Sequence, residues 1–214
     1  MTKELKIMGG IVVLVIAGAV LLFFKGNAPQ TTTVADPGKL VRDASNMTGV
    51  ITAKVTLVEF GDYQCPFCGS INPALEKIID NYKGNKDFNF VYRNFPLPQH
   101  QWAKLTAEAA EAAGAQGKYW EMHNLIFDNQ SQWTGAAQPM DILTGYAQSL
   151  ELDVNAFTAA VQKNQYDNKI TGEDLADGNA LGVNSTPTLF LNGKKTSAST
   201  YDDLKKAIDD ALKQ

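Results

Sequence analysis

The chain has 214 residues, of which 44% are hydrophobic and 20% charged, with a formal net charge of -4. That is ordinary globular material, long enough for one sizeable domain, and its slight acidity gives no reason to invoke nucleic acid. The only cysteines, Cys65 and Cys68, cannot build a disulfide framework, so the fold must rest on a hydrophobic core.

In chain order, Ile7 to Phe24 is uninterrupted apolar or small sequence, about 27 Å long as a helix and close to the hydrocarbon thickness of a bilayer. It is read as a retained membrane anchor. Cleavage of a signal peptide at the small-residue site Thr33-Val-Ala35 is the alternative. Lys3 and Lys6 favour a cytoplasmic N-terminus, but Lys25, Lys39 and Arg42 on the other side leave the charge rule equivocal. Residues 26–49 read as a linker and leading segment, with Gly26 to Pro37 poor in large apolar residues.

Val55 to Phe60 reads as a buried strand, followed by Cys65-Pro66-Phe67-Cys68 and then an amphipathic helix. Its apolar face is Phe67, Ile71, Leu75, Ile78, Ile79 and Tyr82, with Pro73 expected to kink it. Phe88 to Arg93 reads as a second strand. Helical signals run from Gln101 to about Asn164, breaking near Gly114–Gly117, Trp133–Gly135 and Leu150–Asp153, and resume from Asp174 to Leu181. Thr188 to Leu191 is a third strand, turned by Asn192-Gly193 into Lys194–Thr196. A capping box at Ser199–Asp202 opens the last helix, marked by Leu204, Ile208 and Leu212. The order implies a split α/β sheet interrupted by a helical insertion over about 97–182.

A C-x-x-C at a strand-to-helix junction is a redox constellation. The helix start offers unpaired N–H groups and partial positive charge, both of which favour a thiolate. The bland readings are a plain buried disulfide or half of a zinc site. His100 and His123, the only histidines, would complete a Cys2His2 set, but their separation does not suit a zinc finger. No EF-hand spacing places calcium, so no metal is assigned. Arg93 reads as a strand-end ion-pair residue, and Trp102, Trp120 and Trp133 as core or groove-lining residues.

These residues resemble the DsbA-like branch of the thioredoxin superfamily, the thiol-disulfide oxidoreductases of bacterial envelopes. The resemblance is carried by Cys65-Pro-Phe-Cys68, by Pro73 inside the active-site helix, by Ser185-Thr-Pro-Thr188 as a cis-proline loop, and by the helical block between the second and third strands. It covers roughly Val50 to Gln214. Glu59-Phe-Gly-Asp-Tyr-Gln-Cys65 and Tyr92-Arg-Asn-Phe-Pro-Leu97 are most similar to membrane-anchored and Gram-positive members. Phe67 stands where the best-known member has a histidine, which leaves the redox potential open.

The resemblance implies a thioredoxin-like domain over 50–214, tethered by residues 1–25 with its catalytic face outside the cytoplasm. It implies Cys65 as nucleophile, Cys68 as resolving thiol and Glu59 as a buried proton carrier. Thr186 and a cis Pro187, with Pro66 and Phe67, are implied to meet substrate. The reaction would place disulfides in reduced or unfolded exported proteins. A quinone-linked membrane partner, DsbB-like or vitamin-K-epoxide-reductase-like, would re-oxidise the pair, and no dissolved cofactor is required. An envelope reductase or isomerase would use the same residues, although 26–46 is too short for a dimerisation domain. A chaperone-like module with a structural disulfide is the reading of a different class.

Overall fold

The computed structural model describes residues 34–214. The apolar run Ile7–Phe24 and most of the expected linker lie outside the described residues. No helix among the described residues is long and apolar enough to cross a membrane.

A short helix α1 (Pro37–Leu40) and strand β1 (Asn46–Met47) come first, followed by β2 (Val55–Gly61). Then come helix α2 (Pro66–Asn81) and strand β3 (Phe88–Asn94). The insertion holds α3 (Ala103–Gly114), α4 (Tyr119–Asp128), α5 (Gln130–Trp133), α6 (Pro139–Ser149) and α7 (Val154–Gln162). A π-helical stretch, Asn168–Leu175, runs into α8 (Ala176–Ala180). The chain closes with β4 (Thr188–Leu191), β5 (Lys194–Thr196) and α9 (Tyr201–Leu212).

The five strands lie in the order β1-β3-β2-β4-β5. Only β2 and β3 are parallel, as expected for two strands joined through a helix; the other pairs are antiparallel. Both faces of the central strand are covered, so β2 carries large residues at successive positions instead of alternating with polar ones. Leu57 faces one core with Phe90, Ile78 and Ile208; Val58 and Phe60 face another with Val91, Phe190 and Leu40.

Part of the expected linker and leading segment belongs to this framework. The Ala35 N–H donates to the Gly193 carbonyl at 2.8 Å, and the Asp36 side chain caps α1 by accepting from the Gly38 N–H. Arg93 is an ion-pair residue, as the sequence suggested, but a buried one. Its guanidinium donates to Asp174 and Asp177 and to the carbonyls of Lys39 and Leu40, and it lies 5.6 Å from the Phe60 ring centre. One side chain thereby joins the leading segment, the sheet and the end of the insertion.

Smaller differences have local causes. The last helix is capped one residue later than the box suggested: the Thr200 hydroxyl accepts from the Asp203 N–H. Helical structure before Gly182 begins at Asn168 instead of Asp174. Phe67 does not join the buried face of α2 and is 73% exposed. It sits one residue off the Cys68–Ile71–Leu75–Ile78 stripe, which turns it about 100° away from the sheet.

Candidate active site

Strand β2 ends at Gly61, and a short loop carries the chain to Cys65, the N-cap of α2. Pro66 fills the first helical position, where its missing N–H costs nothing. The loop is held from within by the buried Asp62 side chain, which accepts from the N–H groups of Gln64 and Leu97 and pairs with His100 Nδ1 at 2.7 Å. It is held from the insertion by Gln130, whose amide donates to the carbonyls of Tyr63 at 2.7 Å and Cys65 at 2.9 Å. Gly69 leaves the room for this clamp, since a Cβ there would meet Gln130 Oε1 at 2.7 Å.

Both cysteines are free thiols. Cys65 is 4% exposed, and its Sγ donates to the Thr186 carbonyl at 3.3 Å. The Thr186–Pro187 peptide bond is cis. A hydrogen bond from the Cys68 thiol pulls the Cys65 thiol down from its usual 9.0 to about 5, against the opposing effect of burial. The Thr186 side chain and the N–H groups of Phe67 and Cys68 at the helix start act in the same direction. Cys68 is fully buried and accepts from the Asp62 N–H at 3.5 Å; burial pushes its thiol well up. The two thiols therefore differ in kind: Cys65 ionises readily, giving up the S–H it directs at the Thr186 carbonyl, and Cys68 holds its proton.

Glu59 lies on β2, on the same face of the sheet as Leu57, and is 1% exposed. Neither carboxyl oxygen has a hydrogen-bond partner of normal geometry. Burial raises the carboxyl from 4.5 to about 8, the charge on Cys65 adds to the rise, and the Cys68 thiol offsets part of it. The site thus combines a thiolate, a protonated thiol and an acid that titrates close to neutrality.

Pro66 and Phe67 lie exposed beside Cys65. An open cleft of about 530 Å³ adjoins Pro187, lined by Ile71, Ser185, Thr188 and Ser197. All seven residues singled out from the sequence therefore gather at the end of β2, the start of α2 and the turn before β4. The two histidines do not join them as ligands: His100 pairs with Asp62, while His123 is buried among Tyr63, Tyr92 and Phe127. Among the described residues no group of three or more potential ligands could hold a metal ion. Trp133 is core, with its indole N–H donating to the Ile126 carbonyl, whereas Trp102 and Trp120 are partly buried. Asp62 and Gln130 escaped the sequence reading. Asp62 offered one cue, its place three residues before Cys65, and Gln130 offered none.

A thioredoxin family model matches residues 43–210. The chain is 37% identical over 172 residues to Na(+)/H(+) antiporter NhaA 1 of Salinispora arenicola, an alignment covering 79% of this chain and 25% of that protein. It thus spans about a quarter of the length of the curated relatives it matches, and nothing of their antiporter activity follows for it. Among solved structures, BdbD from Bacillus subtilis superposes with a TM-score of 0.73 at 25% identity, covering 84% of this chain and 99% of that one. MdbA, a thiol-disulfide oxidoreductase from Actinomyces oris, gives 0.67 at 21% identity, covering 86% and 93%. The chain belongs to the thioredoxin family.

Proposed function

We propose that this protein is a membrane-tethered dithiol oxidase that introduces disulfide bonds into exported proteins. The observation that carries the reading is the unequal pair: Cys65 at a helix start against the Thr186 carbonyl, with Cys68 buried behind it and the Glu59 acid on the adjoining strand. An enzyme that releases Cys65 as a stabilised thiolate gives up its disulfide readily, because a low leaving-group pKa speeds exchange and favours the reduced form.

In the oxidised enzyme a substrate thiolate attacks Cys65 Sγ. The Cys65–Cys68 bond breaks, a mixed disulfide forms at Cys65, and Cys68 leaves. Protonated Glu59 gives its proton to the departing Cys68 sulfur, which holds it firmly. A second thiolate of the substrate then attacks the substrate sulfur and releases Cys65 as thiolate. The substrate has lost two electrons and the enzyme has gained them. A quinone-linked membrane partner, of the DsbB or vitamin-K-epoxide-reductase-like type, accepts them as the enzyme disulfide re-forms.

Extended substrate lies along Thr186 and Pro187, with the neighbouring cleft beneath it. Pro66 and the exposed ring of Phe67 supply an apolar contact that tolerates many unfolded sequences. The Ile7–Phe24 run supplies the tether, with the catalytic domain on the extracytoplasmic side.

Trapping tests the reading. In a Cys68→Ser variant, the Cys65 thiolate attacks a disulfide of an exported protein, releasing one of its thiolates and forming a mixed disulfide that the enzyme cannot resolve by itself. Exported, cysteine-containing proteins should accumulate on it, and Cys65→Ser should remove both the adducts and the oxidase activity. Activity that survives Cys65→Ser would leave the pair a structural role only.

A further inference from the structure

Glu59 and Tyr92 are register partners across the parallel β2–β3 pair, so their side chains rise from the same face of the sheet, side by side. Both are buried, at 1% and 0% exposure, and they share an omission: neither carboxyl oxygen of Glu59, towards which the Cys68 thiol reaches, nor the hydroxyl of Tyr92 has a hydrogen-bond partner of normal geometry. Buried polar atoms are almost always paired, and an unpaired one calls for an explanation, of which a redox or catalytic role is one.

The position of the Tyr92 ring follows from Gly61, two residues beyond Glu59 on the same face. A Cβ at Gly61 would lie 2.5 Å from one ring carbon of Tyr92 and 2.7 Å from its hydroxyl oxygen. The glycine therefore leaves the ring its place, with the hydroxyl lying over the end of β2 next to the active-site loop. The ionisable groups around the pair are Cys65 and Cys68 at the start of α2, Tyr63 in the loop, and Tyr119 and His123 on α4. The Tyr63 hydroxyl is engaged by His123 Nδ1 at 2.9 Å and by the Tyr119 hydroxyl at 3.1 Å. Of these three phenols, Tyr92 is the unengaged one.

We propose that the Tyr92 hydroxyl is the donor that Glu59 takes up when it ionises, which makes Tyr92 a positioning residue for the proton step at Cys68. The inference rests on the proton-carrier reading of Glu59. When Glu59 gives its proton to the departing Cys68 sulfur, a carboxylate is left in the protein interior. The Tyr92 O–H donates to it until re-oxidation returns the proton from Cys68. Tyr92 keeps its own proton throughout, because burial holds its phenol well above the ordinary value. It acts by donation alone, and the count of one proton exchanged between Cys68 and Glu59 is unchanged.

The test is the pH profile of disulfide exchange between the full-length chain and a reduced two-cysteine peptide. It is run for the wild type, Glu59→Gln, Tyr92→Phe and the double variant. Tyr92→Phe should move the Glu59-dependent inflection upward by about one pH unit and slow the step at neutral pH roughly tenfold, as loss of one hydrogen bond to a charged group does. It should add nothing in the Glu59→Gln background. Fluorotyrosine at position 92, a stronger donor with the same ring, should move the inflection the other way and reports even if Tyr92→Phe fails to fold. An inflection that is lost in Glu59→Gln but is unmoved by either change at Tyr92 overturns this inference and leaves Glu59 its role. An equal loss in both backgrounds makes Tyr92 a packing residue only and also overturns it. A profile unaltered by Glu59→Gln removes the reading on which the inference stands.

Discussion

The carbonyl oxygen of Thr186 accepts a hydrogen bond from Cys65 Sγ at 3.3 Å, joining residues 121 positions apart in the chain. The contact places the residue before Pro187 directly against the reactive sulfur, so the site is built from both halves of the split sheet. Everything that distinguishes Cys65 from Cys68 follows from position. One thiol sits at the helix start beside backbone donors, and the other lies nearly a turn further in, fully buried.

Cys65 should therefore react as a thiolate over most of the pH range. Alkylation of the reduced protein by iodoacetamide should titrate with a midpoint near 5, well below the usual thiol value of 9.0. Cys68 should stay unmodified in the folded protein. A single midpoint near 9 for Cys65 would remove the thiolate from the account.

The same shift predicts how stability depends on redox state. The folded dithiol form has released the Cys65 proton above about pH 5, whereas the unfolded chain holds it until about 9. Unfolding takes up a proton in that window, so this contribution grows as pH rises from 5 to 9 and is lost as pH falls through 5. Glu59 works the other way between 4.5 and about 8, because its folded form keeps a proton that the unfolded chain has lost. The disulfide form has no Cys65 thiolate, so the difference between the two forms carries the Cys65 contribution, while the largest cause of the Glu59 rise, burial, is common to both. Denaturant titrations should show the dithiol form gaining on the disulfide form as pH is raised from 5 to 9. A constant gap would contradict this.

Arg93→Leu should cost about 3–5 kcal/mol of stability, because it leaves the buried Asp174 carboxylate without its cation, while Asp177 keeps Arg42. Arg93→Lys should recover only part of the loss, since an ammonium cannot serve two carboxylates and two carbonyls in one plane. Urea midpoints for the three proteins check the order.

Gln130→Ala should loosen the reactive loop by removing both donors to the Tyr63 and Cys65 carbonyls, at a cost of about 1–3 kcal/mol. Amide hydrogen exchange over Gln64 to Gly69 should accelerate while the far strand β5 is unchanged. Equal protection in the variant and the wild type would show that the insertion does not hold the loop.

The elements nearest the chemistry were the most legible in the sequence. Thr188–Leu191, the Asn192-Gly193 turn and Lys194–Thr196 stand where the apolar run and the turn chemistry put them. The Cys65–Cys68 spacing marked the helix start, and Ser185–Thr188 marked the loop that meets it. What was not legible depends on partners distant in sequence. Arg93 reads as a strand-end ion-pair residue, but its burial and its partners depend on Asp174 and Asp177, 81 and 84 residues later. Gln130 is one polar residue in a helical block, and only the tertiary fold brings its amide to the Cys65 carbonyl. The leading segment looked like a linker because its partners are distant in sequence: Arg42 pairs with Asp177, Asn46 donates to Glu111, and Leu40 packs with Phe60 and Phe190 in the second core.

The measurement that tests the central claim most directly is the reduction potential of the Cys65–Cys68 pair in the full-length chain, equilibrated against glutathione redox buffers. A disulfide donor requires a value well above that of thioredoxin, about -270 mV, and the stabilised Cys65 thiolate predicts such a value. A potential at or below about -270 mV would contradict the oxidase account and make the protein a reductase.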